Sequence, residues 1–218
     1  VPLITVQYSE DNLQGKRRCK ESLQGAMGLT IRPGVPLFGM ISRLTSQKGI
    51  DLVEKIFATL IERDVQFVLL GSGESRYENF FSRAAAQFPG KVGVRIGFDE
   101  PLAHQIEAGA DIFLMPSLFE PCGLNQMFSL KYGTIPVVRA IGGLKDTVED
   151  CNAERSAGTG FVFEAYEPQE LLKAIDRALE LFPDKKSWIA LQRRAMNMDF
   201  SWDRSARAYS RLYQQLLA

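Results

Sequence analysis

Cysteine is scarce in this sequence, and its three copies are scattered: Cys19, Cys122 and Cys151 show no C-x-x-C spacing. A metal or disulfide framework is therefore not expected, and a reducing, intracellular setting fits best. An excess of either charge is missing as well. Lys and Arg together number 26, against 26 Asp and Glu, so nothing suggests a nucleic-acid or other polyanionic partner. Long apolar runs are also missing, and stretches such as Val65–Leu70 fall far short of a membrane span. The opening Val1–Gln7 is too short for a secretion signal, and charged residues follow at once. The first residue is Val rather than Met, which is expected of a processed chain or an excised segment.

What is present is the composition of a folded protein. With 45% hydrophobic and 24% charged residues over 218 positions, the chain is expected to form one large domain or two small ones around a real core. From Val35 onward short apolar runs alternate with amphipathic stretches. The runs predict strands at Val35–Ile41, Val65–Leu70, Val92–Ile96, Asp111–Met115, Ile135–Arg139 and Gly160–Phe163. Between the first two, Val53, Ile56, Phe57, Leu60 and Ile61 recur at helical spacing. Further helices are predicted at Arg76–Phe88, Leu102–Ala108, Gly123–Tyr132, Leu144–Asp150 and Pro168–Leu181. The strand runs are continuous rather than alternating, as in strands buried on both faces. Repeated β-then-α order implies right-handed crossovers and an α/β fold, a Rossmann-like parallel sheet flanked by helices. Before it lie a possible strand at Leu3–Val6, a helix around Asn12–Met27 and the breaker Pro33-Gly34. The tail from Lys185 to Ala218 is helical in pattern. Ser201 is a candidate cap for its last helix, whose apolar stripe is Trp202, Ala206, Tyr209, Leu212, Tyr213 and Leu216.

Ligands of open parallel sheets bind beyond the carboxyl ends of the strands, so the residues after each strand are the candidates for a site. After the first come Ser42, Arg43 and Lys48, either two solvated loop cations or an anion site reinforced by a helix N-terminus. After the second, Gly71-Ser72-Gly73 lacks the third glycine of a dinucleotide fingerprint, Arg76 standing in its place. This disfavours NAD or FAD chemistry and leaves a tight turn or a close ligand approach. After the third, Gly97-Phe98 offers an aromatic that is either core or a stacking surface for a nucleobase. After the fourth comes Pro116-Ser117-Leu118-Phe119-Glu120-Pro121-Cys122-Gly123-Leu124-Asn125-Gln126. Here Glu120 either caps the next helix or accepts hydrogen bonds from sugar hydroxyls, and the amides of 123–125 could hold a phosphate. Cys122 is expected to be a buried or pocket-lining thiol, and His104, the only histidine, to be structural. After the fifth, Gly142-Gly143-Leu144 is a glycine-rich helix entry, close to a ligand or merely tight. Lys16, Arg17, Arg18 and Lys20, flanked by Glu10, Asp11 and Glu21, are expected to form a solvated helix face, with Cys19 incidental. Taken together, the strand-end groups suit a nucleotide diphosphate carrying a polyol.

Several of these stretches match a known pattern in order and spacing. Ser42-Arg43-Leu44-Thr45-Ser46-Gln47-Lys48-Gly49, Gly97-Phe98-Asp99-Glu100, the 116–126 stretch, Lys131-Tyr132-Gly133-Thr134 and Gly142-Gly143-Leu144 resemble the bacterial glycogen synthase and plant starch synthase family. So do Tyr8-Ser9, Asn12-Leu13-Gln14-Gly15-Lys16 and Phe200-Ser201-Trp202, and the resemblance covers essentially the whole chain. Members are retaining GT-B glycosyltransferases that move glucose from ADP-glucose to the non-reducing end of an α-1,4-glucan, with two Rossmann-like domains facing a cleft. The resemblance implies that this chain is the carboxyl-terminal, sugar-nucleotide domain. Residues 1–34 would then be the interdomain connection and lead-in helix, 35–184 the nucleotide-sugar domain, and 185–218 helices packing back toward an amino-terminal domain.

By the same resemblance, Arg43 and Lys48 would bind the diphosphate and stabilise the departing ADP without a metal or other cofactor. Glu120 would hold glucose hydroxyls, the amides of Cys122 and Gly123 would help fix the sugar, those of Leu124 and Asn125 the distal phosphate, and Phe98 would lie against adenine. Phe128 stands where many retaining GT-B enzymes carry a second glutamate, so the ribose contact must come from elsewhere. The family's amino-terminal domain, with its Lys-x-Gly-Gly loop and most of the acceptor site, has no counterpart in this sequence. The chain alone is thus expected to bind ADP or ADP-glucose weakly and to transfer no glucose. The implied partners are ADP or ADP-glucose, an α-glucan acceptor and the amino-terminal domain, with no nucleic acid and no membrane. The implied location is the cytoplasm in a bacterium or the plastid stroma in a plant. The alternatives are a related GT-B half that uses another nucleotide sugar such as UDP-glucose, and a non-catalytic nucleotide-binding module.

Overall fold

A computed structural model of the chain describes residues 3–217, leaving Val1, Pro2 and Ala218 outside the described residues. Six parallel strands form one sheet: β1 Leu37–Ile41, β2 Gln66–Gly71, β3 Val92–Ile96, β4 Ile112–Met115, β5 Ile135–Arg139 and β6 Phe161–Phe163. Their order is β3-β2-β1-β4-β5-β6, so the α/β reading holds. Each predicted strand is present to within two residues. Phe38 pairs with both Phe67 and Ile112, placing β1 at the centre. β2 and β4 are buried along their whole length because helices cover both faces, which is why their sequences are apolar without alternation.

The helices are α1 Gln14–Ala26, α2 Ile50–Glu62, α3 Ser75–Gln87, α4 Glu100–Gly109, α5 Asn125–Lys131, α6 Gly142–Thr147, α7 Pro168–Leu181, α8 Lys185–Met196 and α9 Trp202–Leu217. On α2 the residues at helical spacing, Val53, Ile56, Phe57, Leu60 and Ile61, are all buried. Phe57 meets Phe67 of β2 edge-on at 5.3 Å, and Phe81 of α3 at 5.6 Å, the favoured geometry for aromatic pairs. Asp99 caps α4 through the Leu102 amide at 2.9 Å, and Ser201 caps α9 through the Arg204 amide at 3.3 Å. On α8, Trp188, Leu191 and Ala195 are buried, whereas α9 has no buried residue at all. Its stripe is real but unpartnered, with Trp202, Tyr209, Leu212, Tyr213 and Leu216 all exposed.

Two expectations fail before β1. Leu3–Val6 forms turns and bends rather than a strand, and among the described residues it joins no sheet. The basic cluster of α1 is not a solvated face. Arg17 and Arg18 are exposed, but Lys16 and Lys20 are buried. The Lys16 ammonium donates to the Ala108 and Tyr132 carbonyls, both at 3.1 Å, and to Thr134 Oγ1 at 2.6 Å. It thus sits where α4 and α5 end, and the carbonyl ends of both helices favour a cation. Burial nevertheless pulls its pKa down to about 7. The Tyr8 hydroxyl donates to the Tyr132 carbonyl at 2.8 Å, and burial raises its pKa. Lys20 pairs with Asp111 at 2.5 Å and donates to the Pro33 carbonyl at 3.0 Å, while Asp111 also accepts from the Leu37 amide at 2.9 Å. The buried cations therefore fasten α1 to the lower edge of the sheet. Cys19 is buried beside them, its thiol directed at the Val6 carbonyl. His104 is indeed structural, with Nδ1 at 3.0 Å from the Tyr132 hydroxyl.

Glu107 of α4 joins this cluster at a cost. It is buried, and its Oε2 has no hydrogen-bond partner among the described residues. Burial drives its pKa well above the ordinary 4.5, with Lys16 opposing. Below that ordinary value both folded and unfolded chains hold the proton. As pH rises through it the folded state binds more protons than the unfolded one, so stability falls. Glu107→Gln removes this titration. Thermal melts are expected to give matching midpoints for variant and wild type at about pH 4, with the variant progressively more stable toward about pH 8. A constant difference across that range would show that Glu107 is not held neutral.

Candidate functional site

The strand order turns back on itself at β1 and β4: the chain builds outward from β1 through β2 to β3, then returns to β1's other side. Loops leaving the carboxyl ends of these two neighbours diverge and leave a crevice, the usual ligand position in such sheets. A cavity of about 220 Å³ lies there, lined by Ser42, Arg43 and Lys48 from the first loop and by Ser117, Glu120, Gly123, Leu124 and Asn125 from the second. Seven residues singled out from the sequence, Ser42, Arg43, Lys48, Glu120, Gly123, Leu124 and Asn125, are thus brought together.

The geometry of the cavity is set by ties between its two loops. Lys48 ends a short 3-10 turn, Ser46–Lys48. The Gln47 carbonyl of that turn accepts from the Leu118 amide at 2.9 Å and from the Phe119 amide at 3.4 Å. Arg139, the last residue of β5, donates to the Leu118 carbonyl and to the Glu164 carbonyl, both at 2.9 Å. Its guanidinium lies 5.3 Å from the centre of the Tyr166 ring. The Tyr166 hydroxyl donates to Asp51 of α2 at 2.5 Å, with the Ser46 carbonyl 3.2 Å away. Burial, and then the Asp51 carboxylate, hold this phenol well above its usual pKa. Arg139 and Tyr166 therefore clamp the turn that carries Lys48 to the loop that carries Glu120.

Within the cavity Lys48 Nζ lies 2.5 Å from Glu120 Oε2, and the Ser117 hydroxyl donates to the same oxygen at 3.3 Å. Glu120 is buried. It does not cap a helix: α5 has Leu124 at its cap position and no side-chain cap bond, so the capping alternative is excluded. Asn125 Nδ2 donates to the Ile41 carbonyl at 3.0 Å, which ties the start of α5 to the end of β1. The Leu124 and Asn125 amides donate to no described residue. Arg43 is exposed at the rim.

Three expected residues stand apart. Gly97 and Phe98 follow β3, which β2 separates from β1, and neither lines the cavity. Phe98 is 92% exposed, so it is not core. Cys122 is exposed and outside the lining. The buried or pocket-lining thiol expected from the sequence is therefore corrected, because the turn after Pro121 directs the side chain to solvent. The glycine pairs prove to be packing devices. A Cβ on Gly71 would stand 1.9 Å from the Ser42 carbonyl oxygen, and one on Gly143 1.8 Å from the Cys122 carbonyl oxygen. Each lets one strand-end loop press on the next. Sequence reasoning gave no role to Ser117, although it lies in the stretch after β4, and missed Arg139, Tyr166 and Asp51. Of these three only Arg139, at the carboxyl end of a strand, carried a positional signal. Among the described residues no group of His, Cys, Asp and Glu is placed to hold a metal ion, and no helix is long and apolar enough to cross a membrane.

Comparison with known proteins adds to this geometry. Residues 28–194 match the family described as glycosyl transferases group 1. The chain is 57% identical to a glycogen synthase of Anaeromyxobacter sp. (strain Fw109-5) over 99% of its own length and 45% of that protein. It is 49% identical to a glycogen synthase of Bacillus cereus (strain Q1), over 98% of this chain and 45% of that one. The chain thus spans under half the length of the curated relatives it matches. Among solved structures, the catalytic domain of starch synthase IV from Arabidopsis thaliana, bound to ADP and acarbose, superposes with a TM-score of 0.89 at 36% identity. The match covers 98% of this chain and 45% of that one.

The loop clamp can be tested by Arg139→Met, which keeps the stem and removes both donors. Amide hydrogen exchange at Leu118 and Phe119 is expected to quicken about tenfold, the equivalent of one lost hydrogen bond, with exchange in the core of β2 unchanged. Unchanged protection at Leu118 would show that the Gln47 contact stands without Arg139.

Proposed function

The chain belongs to the glycosyl transferases group 1 family, and from that premise we propose that it is the donor-binding, carboxyl-terminal half of an ADP-glucose-dependent glycogen or starch synthase. The observation that carries this reading is the gathering of Arg43, Lys48 and the buried Glu120 around one cavity at the β1–β4 crevice. Sequence identity to bacterial glycogen synthases supports it.

In this reading Arg43 and Lys48 take the diphosphate, and the free amides of Leu124 and Asn125 take the distal phosphate. Glu120 accepts hydrogen bonds from the glucose, assisted by the backbone at Cys122 and Gly123. The exposed Phe98 ring, beyond the cavity along the sheet edge, is the surface for adenine. As the bond from the anomeric carbon to the diphosphate breaks, charge builds on ADP, and the two cations at the crevice stabilise it without a metal. Glucose passes with retention to the non-reducing end of an α-1,4-glucan. That step needs the acceptor held against the donor and water excluded, which is the task of an amino-terminal domain facing the crevice. The unpartnered stripe of α9 offers a surface for the same domain. The bacterial relatives favour a cytoplasmic enzyme over a plastid one.

Calorimetric titration with ADP, ADP-glucose and UDP-glucose tests the reading. Adenine-selective binding is expected, weakened about tenfold or more by Arg43→Ala and by Lys48→Ala, as for charged hydrogen bonds to phosphate. Tighter binding of UDP-glucose would overturn the choice of donor. Incubated with ADP-glucose and a maltooligosaccharide, the chain alone is expected to elongate nothing. Detectable glucan extension would show that one half of the cleft suffices.

A further inference from the structure

The group expected to hold phosphate and the group expected to hold sugar are bound to each other in this structure. Lys48 Nζ and Glu120 Oε2 are 2.5 Å apart, with side chains only 20% and 8% exposed. The one other partner of the Glu120 carboxylate among the described residues is the Ser117 hydroxyl at 3.3 Å. A diphosphate arriving at Lys48 would set a second anion beside the carboxylate already there, and like charges so close in a partly desolvated site oppose one another. Moving the carboxylate away from Lys48 leaves it buried without a counter-charge, which is costly unless new donors reach it. Neutral sugar hydroxyls are such donors, and they bring no charge of their own.

We propose that Glu120 is an internal occupant of the diphosphate subsite: it holds Lys48 in the ligand-free chain, is displaced by the incoming diphosphate, and is then satisfied by the sugar. The inference rests on the donor-site reading above. Its consequence is that the two parts of the donor bind cooperatively. A diphosphate alone strands the carboxylate, whereas a nucleotide sugar both strands and rescues it. The contact thus penalises the spent nucleotide more than the loaded one, favouring exchange of product for fresh donor.

Calorimetric titration of the chain with inorganic pyrophosphate, ADP and ADP-glucose tests this in wild type, Glu120→Gln, Lys48→Ala and the double variant. Thermal melts confirm that each is folded. Glu120→Gln is expected to bind pyrophosphate and ADP about tenfold more tightly than wild type and to gain less, or lose, with ADP-glucose. In the Lys48→Ala background the gain is expected to vanish, because the cation that Glu120 occupied is gone. An equal gain in both backgrounds would make Glu120 a bystander charge and overturn the proposal, as would no gain in either. Should Glu120→Gln fail to fold, Glu120→Asp keeps the charge but draws it back by one methylene, and the same gain is expected. Pyrophosphate carries neither adenine nor glucose. If the pairing behaves as expected with it while ADP shows no advantage, the donor reading fails and the internal occupancy stands.

Discussion

The two hydrogen bonds that Leu118 and Phe119 donate to the Gln47 carbonyl are the constraint on which the site depends. β1 and β4 are paired over only Phe38–Ile112 and Gly39–Phe113, so the ladder stops where the cavity begins, at Met40 and Leu114. Beyond it, nothing in the sheet would hold the turn carrying Lys48 against the loop carrying Glu120. The Gln47 carbonyl supplies that missing rung. Arg139 secures it from the β5 side through the Leu118 carbonyl, and Tyr166 from the α2 side through Asp51. The cation of one loop and the carboxylate of the other are thereby held at the same crevice, within reach of one ligand and of each other.

Much of this was legible in the sequence because the physics involved is local. Continuous apolar runs marked β1, β2, β4 and β5 since burial on both faces leaves no polar position to interrupt them. The strand-end rule then selected Ser42, Arg43, Lys48, Glu120, Gly123, Leu124 and Asn125 without any knowledge of how the strands are ordered. The same rule also selected Gly97 and Phe98, which lie at the end of a strand two places from the crevice. Strand order separates the two sets, and order is a property of long-range pairing that no window of sequence contains. Tyr166 was invisible for a related reason. It lies on a connection after β6 and reaches the site only because its hydroxyl finds Asp51 and its ring meets Arg139 across the sheet.

The basic cluster of α1 failed for a different reason. A run of Lys and Arg beside Glu and Asp is what a solvated helix shows, and Arg17 with Glu21 forms just such an exposed pair. Lys16 and Lys20 share that run but fall on the face turned inward. There the carbonyl ends of α4 and α5, and Asp111, provide the acceptors that buried ammoniums need. Helical periodicity applied to the charges would have placed Lys16, Cys19, Lys20 and Leu23 on one face. The composition of the run drew attention away from its spacing.

The position of β1 has a consequence in time as well as in space. Of all neighbouring strands, β1 and β4 are the furthest apart along the chain, and closing that loop costs the most chain entropy. The β1–β2–β3 sheet can form from local crossovers as soon as the chain reaches Ile96. The crevice exists only when β4 docks and α5 is anchored by Asn125. During synthesis the growing chain therefore passes through an interval in which the apolar edge of β1 is bare and no nucleotide can yet be bound to stabilise it. That is the stage at which this fold is most exposed to misassociation.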